Sequence, residues 1–104
     1  MPAAKAPLII VASATAGVAE EIANRLKQDG AVVYPTHSAA GCLRVATSIH
    51  PDIVLLDPAL PRRLQHLLRA HPNTANARVL HLTKAGVDAA RNAVAPRRTP
   101  VAAA

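Results

Sequence analysis

Asp57 follows an uninterrupted apolar run, Ile53 to Leu56, and is itself followed by Pro58 and, four positions on, by Pro61. A carboxylate at the exit of a buried strand lies where open α/β sheets place their ligand sites, so its chemistry depends on what stands beside it. Thr83 and Lys84 follow a second largely apolar run, Val79 to Leu82, and supply a hydroxyl and an ammonium. Arg62, His66 and Arg69 recur at helical spacing with Arg63 beside them, a basic stripe that suits an acidic protein face or nucleic acid phosphates. The five histidines show no metal spacing. His50 and His71 each precede a proline at an expected helix end, which suits a cap that complements the helix dipole. No Ser-His-Asp or Cys-His arrangement and no glycine-rich phosphate loop is present.

The elements that must position these groups alternate. Residues 1–7 read as a disordered lead-in, and Leu8 to Val11 as a first buried strand. Thr15 is the expected N-cap of a helix running to about Gln28, with Val18, Ile22 and Leu26 inward and Glu20, Glu21, Asn24 and Lys27 outward. Asp29-Gly30 closes it with a left-handed turn. Ala31 to Tyr34 is a short strand halted by Pro35, and Ser38 caps a second helix to about Ile49 with Cys42, Leu43, Ala46 and Ile49 inward. The run before Asp57 is apolar without alternation, as suits a strand covered on both faces of a parallel sheet. A third helix after Pro61 runs to about Ala70 and buries Leu64, Leu67 and Leu68. Val79 to Leu82 is the fourth strand, residues 83–86 its turn, and Val87 to Val94 a weak closing helix. Domain residues thus span 8–95, and the low-complexity stretch 96–104 reads as a disordered tail. Strands alternating with helices imply βαβ units and parallel pairing.

Composition narrows the class. One domain fits 104 residues, and an aromatic-rich binding groove is excluded by a chain with one Tyr and no Phe or Trp. The single Cys42 permits no internal disulfide, which fits a reducing cytoplasmic setting and a small core residue. The start of the chain imitates a secretory leader, but its apolar segment is shorter than the usual core of about 7 to 15 residues. No run approaches the roughly 20 apolar residues of a membrane span. A formal charge of +6 allows an acidic partner without specifying one.

At this point the layout resembles the receiver domain of bacterial response regulators over residues 8 to 83, roughly the first two thirds of a complete receiver. Leu8-Ile-Ile-Val11 is similar to its first strand, and His50-Pro-Asp-Ile-Val-Leu-Leu-Asp57 to its third strand with the phospho-accepting aspartate, followed four places later by Pro61. Val79-Leu-His-Leu-Thr83 is similar to the fourth strand with its switch hydroxyl. The resemblance implies a flavodoxin-like, three-layer α/β sandwich with a parallel sheet in the order 2-1-3-4, lacking the fifth strand and last helix. It also marks departures. Receivers carry an acidic pair after the first strand to hold Mg²⁺, and Ala12 and Ser13 stand there instead. An alanine methyl supplies no hard oxygen ligand, so no cofactor is expected. The lysine that members use to contact the phosphoryl oxygens has no counterpart.

Phosphoryl transfer relies on positioned cations, and of that machinery only Asp57 remains. The expectation is a degenerate, non-enzymatic receiver-like module of the two-component class, cytoplasmic and acting without phosphorylation. Asp57 is then capped by local backbone or paired with a lysine. Lys84 either compensates its charge or points to water, and Thr83 is a switch residue or a turn hydroxyl. A fourth strand with one free edge, and a sheet face left uncovered, suggest self-association or a partner strand. Two other readings are a weak phosphoacceptor on Asp57, and a basic nucleic-acid-associated protein using Arg62, Arg63, His66, Arg69 and the tail arginines Arg97 and Arg98. No aromatic side chains are interleaved among those cations for stacking on bases.

Overall fold

Each strand hands the chain to a helix in the computed structural model, which describes residues 7–15 and 17–98. The order is β1 (Leu8–Ala12), α1 (Val18–Gln28), β2 (Val32–Thr36), α2 (Ala39–Ile49), β3 (Ile53–Leu56), α3 (Arg62–Ala70), β4 (Arg78–His81) and α4 (Lys84–Arg98). All pairings are parallel and the sheet order is β2-β1-β3-β4. This is the flavodoxin-like, receiver-like α/β fold anticipated from the sequence.

The unalternating apolar runs are explained by two cores, one on each face of the sheet. Ile9, Val11, Ile53 and Leu55 pack with Ala19, Ala23 and Leu26 of α1 and with Ala90 and Val94 of α4. Ile10, Ala12, Val54 and Leu56 turn the other way, onto Cys42 and Ala46 of α2 and Leu64 and Leu68 of α3. Successive strand residues point to opposite faces, so a strand covered on both sides must be apolar at every position. Full burial of one Val, Leu or Ile side chain contributes about 1.5–3 kcal/mol, and Ile9, Ile10, Val11, Val54 and Leu55 of β1 and β3 are all fully buried.

Several local expectations give way to packing. Helix α1 starts at Val18, after Gly17 in a left-handed conformation (φ 80°), while the backbone N–H of Thr15 donates to Ser13 Oγ. Ala19, Ala23 and Leu26, spaced i, i+4 and i+7 on one helix face, form the buried stripe, with Val18 and Ile22 half-buried at its edge. Pro35 lies inside β2 and does not halt it. Strand β2 is an edge of the sheet, where a residue lacking an N–H is tolerated. Ser38 caps α2 as expected, its Oγ accepting from the Gly41 N–H at 3.0 Å. Leu67, expected inside, is 43% exposed.

The largest correction concerns the end of the chain. The closing helix expected at 87–94 is present but longer: α4 has 15 residues, begins inside the turn expected at 83–86 and takes in residues 96–98 of the expected tail. It lies on the α1 face, so the expected uncovered sheet face is covered. Arg91 Nε donates to Asp29 Oδ2 at 2.8 Å and fastens α4 to the C-cap of α1. Pro7, the last residue of the expected lead-in, is buried, and its carbonyl accepts from the Val32 N–H at 2.9 Å. The rest of that lead-in, 1–6, and residues 99–104 lie outside the described residues.

Candidate functional site

Strand order decides what surrounds Asp57. With β2, β1 and β3 adjacent, Thr36, Ser13 and Asp57 emerge side by side at the carboxyl ends of the strands. The Ser13 N–H donates to the Thr36 carbonyl at 3.1 Å, and the Asp57 N–H donates to the Ala12 carbonyl at 2.9 Å. These bonds extend the parallel ladders one residue past the strands and fix both side chains.

The two carboxylate oxygens of Asp57 have separate partners. Ser13 Oγ–H donates to Oδ2 at 2.8 Å. The Ala59 N–H donates to Oδ1 at 2.9 Å, and the Leu60 N–H donates to the Asp57 carbonyl at 2.9 Å, so the acid nucleates its own turn at Pro58. Ser13 is fully buried, and its Oγ also accepts from the Thr15 N–H at 3.1 Å, which uses the hydroxyl as donor and acceptor at once. The Ser13–Asp57 contact is the feature that sequence reading missed. Its signal was a small hydroxyl residue directly after the neighbouring strand.

Asp57 also lines a cavity of ≈ 150 Å³ with Leu60, Pro61, Arg62, Gln65 and His81. Arg62 is therefore the cation that shares a cavity with Asp57. Lys84 is exposed, has no ion-pair partner among the described residues, and lines a different cavity of ≈ 520 Å³ between α1 and α4. Thr83 caps α4: its Oγ1 accepts from the Gly86 N–H at 3.2 Å and its carbonyl from the Val87 N–H at 2.9 Å.

The donor set at Asp57 does not suit Mg²⁺. That ion demands several hard oxygens in octahedral geometry. Here Ala12 offers a buried methyl and Ser13 a hydroxyl already used as donor and acceptor, which leaves Asp57 as the one carboxylate of the three. No group of three or more His, Cys, Asp or Glu residues that could hold a metal occurs among the described residues.

Arg62, Arg63, His66 and Arg69 are all exposed on α3. His50 and His71 are the C-caps of α2 and α3, and His71 Nδ1 accepts from the Asn73 N–H at 3.1 Å. No helix among the described residues is long and apolar enough to cross a membrane. No family model and no curated protein matches this chain.

Outside the site, two ionisable groups are shifted by hydrogen bonds. Glu20 is held below the usual carboxylate range by its bond with His37, and Arg91 is raised by its bond to Asp29.

Proposed function

We propose that this chain is a receiver-like interaction module, related to the two-component response regulators, that works without phosphorylation of Asp57 and catalyses no reaction. One observation carries the reading: both oxygens of Asp57 are committed to the protein's own donors, Ser13 Oγ–H and Ala59 N–H. An acyl phosphate forms by attack of a carboxylate oxygen on phosphorus, and positioned cations must neutralise the charge that develops. Ser13 supplies a hydrogen bond where such chemistry needs a metal ligand, and Lys84 faces another cavity. What remains is a folded surface whose use is recognition, in keeping with a cytoplasmic signalling role.

The free edge of β4 is one such surface. The Arg78 and Leu82 N–H groups donate to Asp52 and Leu56 carbonyls beside or within β3, so by alternation the Val79 and His81 amides face outward. A second copy or a partner strand would pair there, and sedimentation velocity over a concentration series would register self-pairing as growth in mass.

Incubation with acetyl phosphate and Mg²⁺ followed by intact mass measurement tests the central claim. The expected result is an unchanged mass. A phosphate-sized increment that disappears in Asp57→Asn would replace this reading with that of a weak phosphoacceptor.

A further inference from the structure

The charge of this protein is unevenly placed. Between Asp29 and Asp52, and again between Asp57 and Asp88, the sequence contains no acidic residue, and these intervals hold all of α2 and α3. That layer presents Arg44, Arg62, Arg63, His66 and Arg69 to solvent. None of the four arginines has an ion-pair partner among the described residues. Helix α1, in contrast, offsets Arg25 with Glu21, and α4 directs Arg91 to Asp29.

Between α2 and α3 runs an apolar groove of ≈ 290 Å³, walled by Ala39, Ala40 and Leu43 on one side and Arg63, Leu64 and Leu67 on the other. Leu67 is one of three large apolar side chains exposed among the described residues, and the other two, Val32 and Tyr34, lie on β2. Arg63 precedes Leu67 by one helical turn and Arg44 follows Ala40 by one, so a cation stands beside the apolar wall on each helix.

We infer that the groove between α2 and α3 binds an acidic amphipathic helix of a partner protein. The inference rests on the reading of the chain as an interaction module and names the partner that module takes. A helix laid in a groove places apolar anchors at i, i+3, i+4 and i+7 into it and turns its flanks toward the walls, where Arg44 and Arg63 select carboxylates. Two copies of this chain would not serve, because the layer carries cations alone and would repel itself. An anionic bilayer takes up protruding apolar side chains, and only Leu67 protrudes here while the rest of the surface is recessed. Nucleic acid offers nothing to an apolar slot, and this layer has no aromatic side chain on which a base would stack.

The test uses the full chain and a fluorescein-labelled synthetic peptide with leucines at i, i+3, i+4 and i+7 and glutamates on its flanks. Comparison probes are the same peptide with alanine for leucine, phosphatidylserine vesicles and duplex DNA. Anisotropy is expected to show saturable binding of the leucine peptide, weakened roughly tenfold by Leu67→Glu and by Arg63→Glu. Lys27→Glu on α1 makes the same charge change as Arg63→Glu and is expected to alter affinity by less than roughly threefold. Amide shift changes on adding peptide are expected along α2 and α3. The inference is overturned by absence of binding, by equal loss in Lys27→Glu, by equal binding of the leucine-free peptide, or by tighter binding to vesicles or DNA. Shift changes confined to β4 would overturn the groove while leaving an interaction module, whereas an acyl phosphate on Asp57 would overturn the parent reading whatever the peptide does.

Discussion

Ser13 and Asp57, 44 positions apart in sequence, meet side chain to side chain at 2.8 Å, hydroxyl to carboxylate. The contact ties the ends of β1 and β3 together, fastening one strand end to the other.

Ser13→Ala is expected to remove this fastener and leave Oδ2 of a half-buried carboxylate without its donor, at about 1–2 kcal/mol. In a domain of this size that lowers the melting temperature by about 4–8 °C per kcal/mol. Ser13→Asp makes a sharper comparison. Two adjacent carboxylates repel, so this variant should melt lower in chelator and recover on adding Mg²⁺, while the parent protein should ignore the ion. A parent melting temperature that climbs with Mg²⁺ would contradict the donor-set argument.

Gly86→Ala should destabilise although alanine is the better helix former by about 1 kcal/mol. A Cβ at residue 86 would stand 1.8 Å from the His81 carbonyl oxygen, so backbone must move and α4 lift from β4. Overpacking of this kind costs about 1–3 kcal/mol, and the clash outweighs the propensity gain. Urea melts give the sign directly.

Arg91→Gln is expected to loosen α4 from the turn after α1, because its guanidinium bond to Asp29 joins elements 62 residues apart. Amide exchange in α4 should quicken more than in α2 or α3. The difference between parent and variant should shrink at high salt, since the Arg91 side chain is half exposed and the pair is screened.

Cys42 is fully buried, and burial raises its thiol from 9.0 to about 11 although a hydrogen bond with Thr36 acts in the opposite direction. The folded protein therefore keeps its thiol proton where the unfolded chain has lost it. Between pH 9 and about 11 the native state binds more protons than the unfolded state, so stability falls as pH rises through that window. Cys42→Ala should flatten this part of the stability profile. Iodoacetamide should label the parent at neutral pH only when denaturant opens it, and rapid native labelling would contradict the burial.

Features encoded within a short window of residues were legible in the sequence. The alternation of strands and helices, the Ser38 cap and the two-sided burial of Leu8 to Val11 and Ile53 to Leu56 follow from hydrophobic period and from the positions of Pro, Gly and Ser. The basic stripe of α3 was legible for the same reason, since helical spacing alone places Arg62, His66 and Arg69 together. The Ala59 cap of Asp57 is the local backbone bond expected of it, whereas the Ser13 bond was not legible, because a hydroxyl and a carboxylate 44 positions apart are joined only once β1 and β3 pair. Leu67 carries the same apolar signal as Leu64 and Leu68, yet α3 faces a groove on that flank, and only the spacing of α2 and α3 exposes it. Helix α4, rich in alanine and arginine, carries a faint periodic signal. Its extent was decided by tertiary contact: Ala90 and Val94 pack on β3 and β4 and Arg91 reaches Asp29, contacts that exist only once the sheet has formed.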